Sequence, residues 1–229
     1  MRNPEQIDIL TSTYRSEPFL EKFLDAVPKQ TAFQHCNLIL RMNRPSESEL
    51  SLVREFQKKF PNHLSFSVAP KLEKLGASWN AAIARSKSPL ISIWNVDDER
   101  SEDSLERLAD GLSRSEAAGY AFGPFSVRRT VGKFFRHRFE AQTSPPAETH
   151  VMHGMALGPF FMFRRTILER VGPFDEQYVS ATDYDFAMRL VRLASGTWTA
   201  SSLGTFENSG KGLSTGASMI QPVERTAVE

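Results

Sequence analysis

A single cysteine, Cys36, stands among 229 residues, so an internal disulfide and a Cys-rich zinc site are both excluded. Charge of one sign is also missing. Lys plus Arg (28) nearly cancels Asp plus Glu (27), leaving +1, which is not the footprint of a dedicated nucleic-acid binder. No apolar run reaches the roughly 18 residues of a membrane-crossing helix, and no charged-then-apolar leader opens the chain. Repeats and low-complexity tracts are absent. No G-x-G-x-x-G follows the first β run, which argues against a dinucleotide enzyme. The stretch from Gly204 to Gly212 (GTFENSGKG) only superficially resembles a phosphate loop: its glycine spacing is one residue too long, and Gly212 stands where Ser or Thr should follow Lys211. These absences set the expectation of a soluble cytoplasmic protein, with peripheral association at the inner face of a membrane left open. The 40% hydrophobic and 24% charged composition is that of a globular chain with a sizeable core, read as one compact domain over residues 1–229.

The first hundred residues alternate strand and helix signals. Ile7–Thr11 reads as a β run. Glu17–Val27 places Phe19, Leu20, Phe23, Leu24 and Val27 on one helical face, and Pro28 closes it. Cys36–Met42 is a second strand, with Cys36 expected as a small buried hydrophobe. Ser46 to Glu49 has the form of a capping box and opens a helix through Lys59, with Leu52, Val53 and Phe56 inward. Leu64–Val68, a short helix Ala77–Ser86, the apolar strand Leu90–Val96 and a helix from Ser101 with Leu105, Leu108 and Leu112 inward complete the series. This order predicts an α/β fold with a mostly parallel central sheet flanked by helices. The second half predicts a smaller mixed or antiparallel portion: strands Tyr120–Arg129 and Val131–Phe139 joined near Gly132, a Pro-containing loop over 141–150, a strand Gly158–Arg164, and a short helix Arg165–Val171 stopped by Gly172-Pro173. An amphipathic helix Asp183–Ala194 follows, with Phe186, Leu190, Leu193 and Ala194 buried. From Gly204 onward a loop or mobile tail is expected.

Asn95-Val96-Asp97-Asp98-Glu99 directly follows the most apolar strand. Ligands of open parallel sheets sit beyond the carboxyl ends of the strands, and adjacent acids there are costly without a positive partner. Hard oxygen donors without cysteine point to Mg²⁺ or Mn²⁺; a solvated acidic turn before a helix is the plainer alternative. A second pair of acids, Asp183 and Asp185, opens the late helix, where Asp183 could also serve as N-cap.

Taken in order, three segments resemble a glycosyltransferase of family 2 with the GT-A fold, a Rossmann-like architecture, over about Ile7 to Thr215. They are IDILTSTYRSEPFLEKFLDAV, GASWNAAIARSKSPLISIWNVDDE, and FMFRRTILERVGPFDEQY followed by ATDYDFAMRL. The resemblance implies an inverting, metal-assisted hexosyltransferase of glycan biosynthesis. It implies a nucleotide-sugar half over about 1–118, an acceptor and base half over about 119–215, and a tail over 216–229. Thr11 and Tyr14 fall where the family's first βα turn holds the base and ribose. Asp97 falls beside the sugar-nucleotide, Asp98 on the direct metal ligand, and Asp183 on the general base; Asp185 and Arg189 are read as its support. Gly212 to Thr215 resembles a loop that closes over the donor. Where the family often carries an Asp-Asp-Gly-Ser run, this chain has Arg41-Met42-Asn43-Arg44-Pro45-Ser46, so Asn43 takes the position that reads the base. Asn95 stands where the acidic motif often begins with Asp, and Thr182 where Glu often precedes the base. The implied donor is a nucleotide-diphosphate sugar, UDP-linked by slight preference, and the acceptor a glycan, lipid-linked or protein hydroxyl.

The chemistry follows from the positions. A divalent cation stabilises the departing diphosphate, and a carboxylate on the other face of the sugar takes the acceptor's proton. Opposite faces give one in-line displacement with inversion. Trp79, with Asn80 beside it, could line the donor pocket or lie in the core. His153 could contact acceptor or metal, or be structural. Arg128, Arg129, Lys133, Arg136 and Arg138 near Phe134, Phe135 and Phe139 read chiefly as a solvated hairpin rather than an anion or nucleic-acid surface. Two other functions remain beside the leading one. A metal-dependent nucleotidyltransferase is one, although TSTYRSEP lacks the usual Gly-rich loop. A nucleotide-sugar-binding module without turnover, kept open by Asn43 and Asn95, is the other.

Overall fold

The computed structural model describes residues 5–131, 135–141, 157–208 and 220–228. Its main sheet is built from β1 (Ile7–Tyr14), β2 (Cys36–Asn43), β3 (Leu64–Val68) and β4 (Leu90–Ile93), with helices α1 (Glu17–Ala26), α2 (Glu47–Lys59) and α3 (Leu75–Ile83) between them. After the two-residue β5 (Glu99–Arg100) come α4 (Ser104–Arg114), β6 (Ala118–Phe122), β7 (Ser126–Val131), β8 (Phe135–Glu140) and β9 (Met162–Arg164). The chain continues with α5 (Leu168–Val171), α6 (Thr182–Leu193), β10 (Ser195–Trp198), β11 (Gly204–Asn208) and α7 (Ile220–Val228).

Seven strands pair in the order β10-β6-β9-β4-β1-β2-β3. All neighbours are parallel except β9, which lies antiparallel between β4 and β6. A second, mixed sheet has the order β5-β11-β7-β8. Side-chain alternation along the strands divides the core. Ile7 and Ile9 join Leu38, Leu40 and Met42 under α1, α2 and α4, whereas Leu10, Ile39, Ile91 and Ile93 face α3 and α6. Strands covered on both faces carry near-continuous apolar sequence, and CNLILRM and LISI do so. Each fully buried Leu or Ile contributes about 1.5–3 kcal/mol relative to exposure.

Several expectations meet the structure directly. Ser46 caps α2 and Glu49 reaches back to it, closing the capping box at 3.2 and 2.9 Å. The same Glu49 carboxylate accepts from the amide of Ser16, 2.9 Å away, which ties the start of α1 to the start of α2. Leu105, Leu108 and Leu112 are fully buried, and Cys36 is a buried free thiol. Gly172 ends α5 with φ +78, a backbone conformation that glycine adopts at no steric cost.

Other boundaries move. Tyr120–Arg129 is not one strand: Gly123-Pro124 interrupts it, Pro124 having no N–H to give a ladder, and the two parts enter different sheets. The strand expected over Leu90–Val96 ends at Ile93, because Trp94 to Asp98 turn out of the sheet. Only Met162–Arg164 of the segment 158–164 forms a strand. Helix α4 begins at Ser104 rather than Ser101, and α3 begins at Leu75. Phe19, Leu193 and Phe139 are exposed (39%, 37% and 43%), each at the rim of its apolar stripe or on the edge strand β8. The segment from Gly204 is not loop throughout: Gly204–Asn208 is a strand between β5 and β7, and Ile220–Val228 is a helix. Its Gly and Ser content masked a strand that pairs on both sides. The loop over 141–150 lies, beyond Ala141, outside the described residues, as do His153, Gly212 to Thr215, and the side chains of Lys133 to Arg136.

Candidate functional site

The parallel strands β1 to β4 all end at one edge of the sheet, and the acidic turn hangs from the end of β4 there. The turn is held from within. Trp94 Nε1 donates to the carbonyl of Asp98 at 3.0 Å, and the Asp98 amide donates to that of Asn95 at 3.1 Å. Asp98 is buried; its Oδ2 accepts from Asn95 Nδ2 at 3.2 Å and its Oδ1 from the Glu207 amide of β11 at 3.3 Å. Burial, with Asp97 adding to it, lifts the Asp98 carboxyl to about 8. Asp97 is half-buried, and burial, reinforced by Glu207, lifts it too.

Sequence reasoning missed the supports. Arg100 is buried behind the turn, its Nη2 donating to Ser92 Oγ (2.8 Å) and the Ile93 carbonyl (2.7 Å). Its guanidinium lies 5.6 Å from the Trp94 ring and 5.2 Å from that of Phe160. Burial lowers its pKa to about 9 against the pull of Asp98. Arg128 of the basic hairpin bridges Glu99 (3.0 Å) and Glu207 (3.1 Å), and Lys22 of α1 pairs with Glu99 as well. A basic residue two strands away gives no local signal of such a role; only the pairing of β11 with β5 and β7 reveals it.

Asn43 ends β2 as expected, yet its side chain is interior. Its Nδ2 donates to Ser78 Oγ at 2.9 Å and Ser12 Oγ at 3.4 Å, and its Oδ1 accepts from the Glu73 amide at 3.0 Å. Beside it Arg41 and Glu73 form a two-point ion pair. Thr11 is fully buried, its hydroxyl donating to the Trp94 carbonyl at 2.8 Å. Tyr14, by contrast, is 45% exposed at the end of β1, with Arg15 packed over its ring at 5.2 Å. Trp79 is 2% exposed, its ring 4.9 Å from that of Phe174. Asn80 pins the loop between α5 and α6 by accepting from the Phe174 amide and donating to its carbonyl, both at 2.9 Å.

That loop carries the second acidic position to the same edge. A Cβ on Gly76, near the start of α3, would stand 2.8 Å from Thr182 Oγ1 and 2.9 Å from the Asp175 carbonyl. Only glycine permits α6 to start this close. Asp183 is the second residue of α6 and not its cap; Ala181 holds the cap position and makes no side-chain cap bond. Asp183 is half-buried and its Oδ1 accepts from the Tyr184 amide at 2.8 Å; burial raises its pKa, opposed by that amide and by Arg225. Asp185 is paired with Arg189 at 2.6 Å, and Arg189 also donates to the Pro173 carbonyl at 2.8 Å, bracing the loop.

Among the described residues no group of three or more His, Cys, Asp or Glu is gathered as a metal cage. Asp97 and Asp98 nonetheless fit a hard divalent cation, because their adjacent carboxyl groups crowd each other and, among the described residues, Arg100 attracts Asp98 only from behind the turn. Such an ion takes one or two carboxylates and completes its shell with phosphate oxygens. Asp98 spends both oxygens on internal donors, so Asp97 carries the more accessible pair.

Comparison with known proteins bears on the same elements. The model of glycosyl transferase family 2 matches residues 8–172. S. aureus TarS 1-349 in complex with UDP-GlcNAc superposes with a TM-score of 0.79 at 15% identity, covering 97% of this chain and 64% of that one. The TarS 1-349 complex with UDP gives 0.73 at 16% identity, over 90% and 61%. The mannosyltransferase PcManGT from Pyrobaculum calidifontis, in complex with GDP-Man and Mn2+, gives 0.68 at 15%, over 92% and 59%. This chain thus spans about three fifths of the length of these GT-A glycosyltransferases. No curated protein sequence matches it. Among the described residues no helix is long and apolar enough to cross a membrane. The likeness to the solved structures fixes the fold as GT-A, and the match over residues 8–172 shows that this chain belongs to glycosyl transferase family 2.

Proposed function

We propose that the protein transfers a sugar from a nucleotide-diphosphate donor to an acceptor hydroxyl with inversion at the anomeric carbon. The observation that carries this reading is the convergence of two acidic elements on one sheet edge. Asp97 and Asp98 follow β4, while Thr182, the residue before Asp183, starts α6 against Gly76 of α3. A donor lying over the carboxyl ends of the strands would have its diphosphate toward the first pair and its sugar toward the second.

Asp183 acts as general base. As the acceptor oxygen bonds to the anomeric carbon, its proton passes to the Asp183 carboxylate. The bond from that carbon to the phosphate oxygen breaks, and the nucleoside diphosphate leaves. Burial raises the pKa of Asp183, which increases its proton affinity. Mn²⁺ or Mg²⁺, held by Asp97 with Asp98 behind it, would supply Lewis-acid stabilisation of the departing diphosphate. Exposed Tyr14 offers a ring face at the end of β1 for the nucleotide base. The complexes of similar structures with UDP, UDP-GlcNAc and GDP-Man support a nucleotide-sugar donor without choosing its base.

The test compares wild type with Asp183→Asn, using UDP-GlcNAc and GDP-mannose with Mn²⁺ and following nucleoside diphosphate release. Removal of a positioned base lowers turnover by about two or more orders of magnitude while donor binding survives. Wild-type turnover in the variant would refute the assignment and turn attention to Asp185.

A further inference from the structure

Helix α6 starts without a cap of its own, although its first N–H groups need acceptors. The residues that lead into it, up to the cap position Ala181, are held instead from α7. Glu224 Oε1 accepts from the Val179 amide at 2.7 Å, and Oε2 from those of Ser180 and Ala181 at 2.8 and 2.9 Å. Three consecutive amides thus converge on one carboxylate two residues before Asp183. The next residue, Arg225, lies with its guanidinium 5.0 Å from the ring of Tyr184, whose amide holds the Asp183 carboxylate. Val228 packs with Tyr178 on the patch of Ala181, Tyr184 and Met188. None of α7 falls in the segment matched by the family model, which ends at residue 172.

We propose that Glu224 and Arg225 are positioning residues for Asp183: Glu224 fixes the segment that leads into α6, and Arg225 holds the ring and the charge beside the carboxylate. The proposal rests on the reading of Asp183 as general base. A carboxylate among three converging backbone amides is a strong, charge-assisted clamp. Burial would raise the Glu224 carboxyl, but these amides and Lys74 outweigh it and hold it below its ordinary value. Arg225 likewise favours ionised Asp183 against burial. Other charges near this turn are otherwise engaged. Asp185 pairs with Arg189, and Lys74 donates to the Gln177 carbonyl at 2.7 Å. Asp175 accepts from the Gln177 amide at 2.8 Å, and Asn80 donates to Glu176 at 2.9 Å.

The test uses the full chain as Glu224→Gln, Arg225→Gln, Arg225→Lys and Asp183→Asn. Two readouts need no donor: amide exchange at residues 179–181, and the Asp183 carboxyl titration by NMR. A third is nucleoside diphosphate release from UDP-GlcNAc or GDP-mannose with Mn²⁺ as a function of pH. Glu224→Gln should speed exchange at the three amides and lower kcat about ten- to a hundred-fold with donor KM unchanged. Arg225→Gln should raise the Asp183 titration, and move the acid limb of kcat, by about one pH unit; Arg225→Lys should restore both. Wild-type exchange in Glu224→Gln, together with a wild-type titration in Arg225→Gln, overturns the proposal even if Asp183→Asn is inactive. Full turnover by Asp183→Asn overturns the base reading and the proposal with it. Melting curves of each variant separate a local effect from loss of the fold.

Discussion

The backbone amide of Glu207 donates to Oδ1 of Asp98 across 3.3 Å, joining the second sheet to the acidic turn of the first. The two residues are 109 positions apart. Through this bond, and through Arg128 between Glu99 and Glu207, strand β11 becomes part of the wall on which Asp97 and Asp98 are mounted.

Asp97→Asn and Asp98→Asn keep side-chain volume and remove a carboxyl group that can ionise against a cation. Both should weaken Mn²⁺-dependent binding of a nucleotide-sugar, and Asp97→Asn should lower turnover about a hundredfold or more, since its oxygens are the more accessible. Calorimetry with and without Mn²⁺ measures the first effect. Unchanged metal dependence in both variants would remove the acidic turn from the chemistry.

Replacement of Arg128 by Met leaves Glu99 and Glu207 facing each other without their shared cation. Partly exposed ion pairs contribute about 1 kcal/mol or less each, so urea unfolding should show only a modest loss. Donor affinity should nevertheless fall several-fold, because the amide of Glu207 would no longer be held against Asp98. Wild-type affinity in this variant would show that β11 keeps its place without the bridge.

Asn43 is spent on Ser12, Ser78 and the Glu73 amide. Asn43→Ala removes these bonds, although Ser78 keeps its own to Glu73 at 3.2 Å, and should cost about 1–3 kcal/mol of stability. The order of affinities for UDP, GDP, CDP and dTDP should stay the same. A changed order, measured by calorimetry, would return Asn43 to the base-reading position that the family resemblance implies.

Asp8 provides a pH test of the scaffold. It is buried and accepts from Asn37 at 3.0 Å and from the amides of Lys87 and Ser88 at 2.8 and 2.9 Å. Burial alone would raise its pKa, but these donors hold it below the ordinary value of an aspartate. A depressed folded-state pKa gives stability that is complete above the unfolded value and disappears as pH falls through the folded one. Asp8→Asn should therefore be less stable than wild type at neutral pH by about 1–3 kcal/mol. The difference should narrow in acid below 3.8. A gap that stays constant with pH would mean that charge plays no part.

Much of the frame was legible because it is local. The capping box at Ser46 and Glu49, the stripe Leu105-Leu108-Leu112 and the apolar runs of β2 and β4 each express one period or one cap within a few residues. Local chemistry likewise marked Asp97, Asp98 and Asp183 as the acids to watch. What the sequence could not determine depends on contacts between distant segments. Asn43 has the right residue type at the right strand end, yet the packing of α3 turns its amide inward. Gly204–Asn208 has the composition of a loop and becomes a strand because β5 and β7 offer it two edges. Arg100, Arg128 and Glu224 carry no motif; their roles arise where tertiary packing places a buried charge or a row of backbone amides within reach. Periodicity determines which face of an element is apolar, but only the assembled sheet edge decides which polar groups meet there.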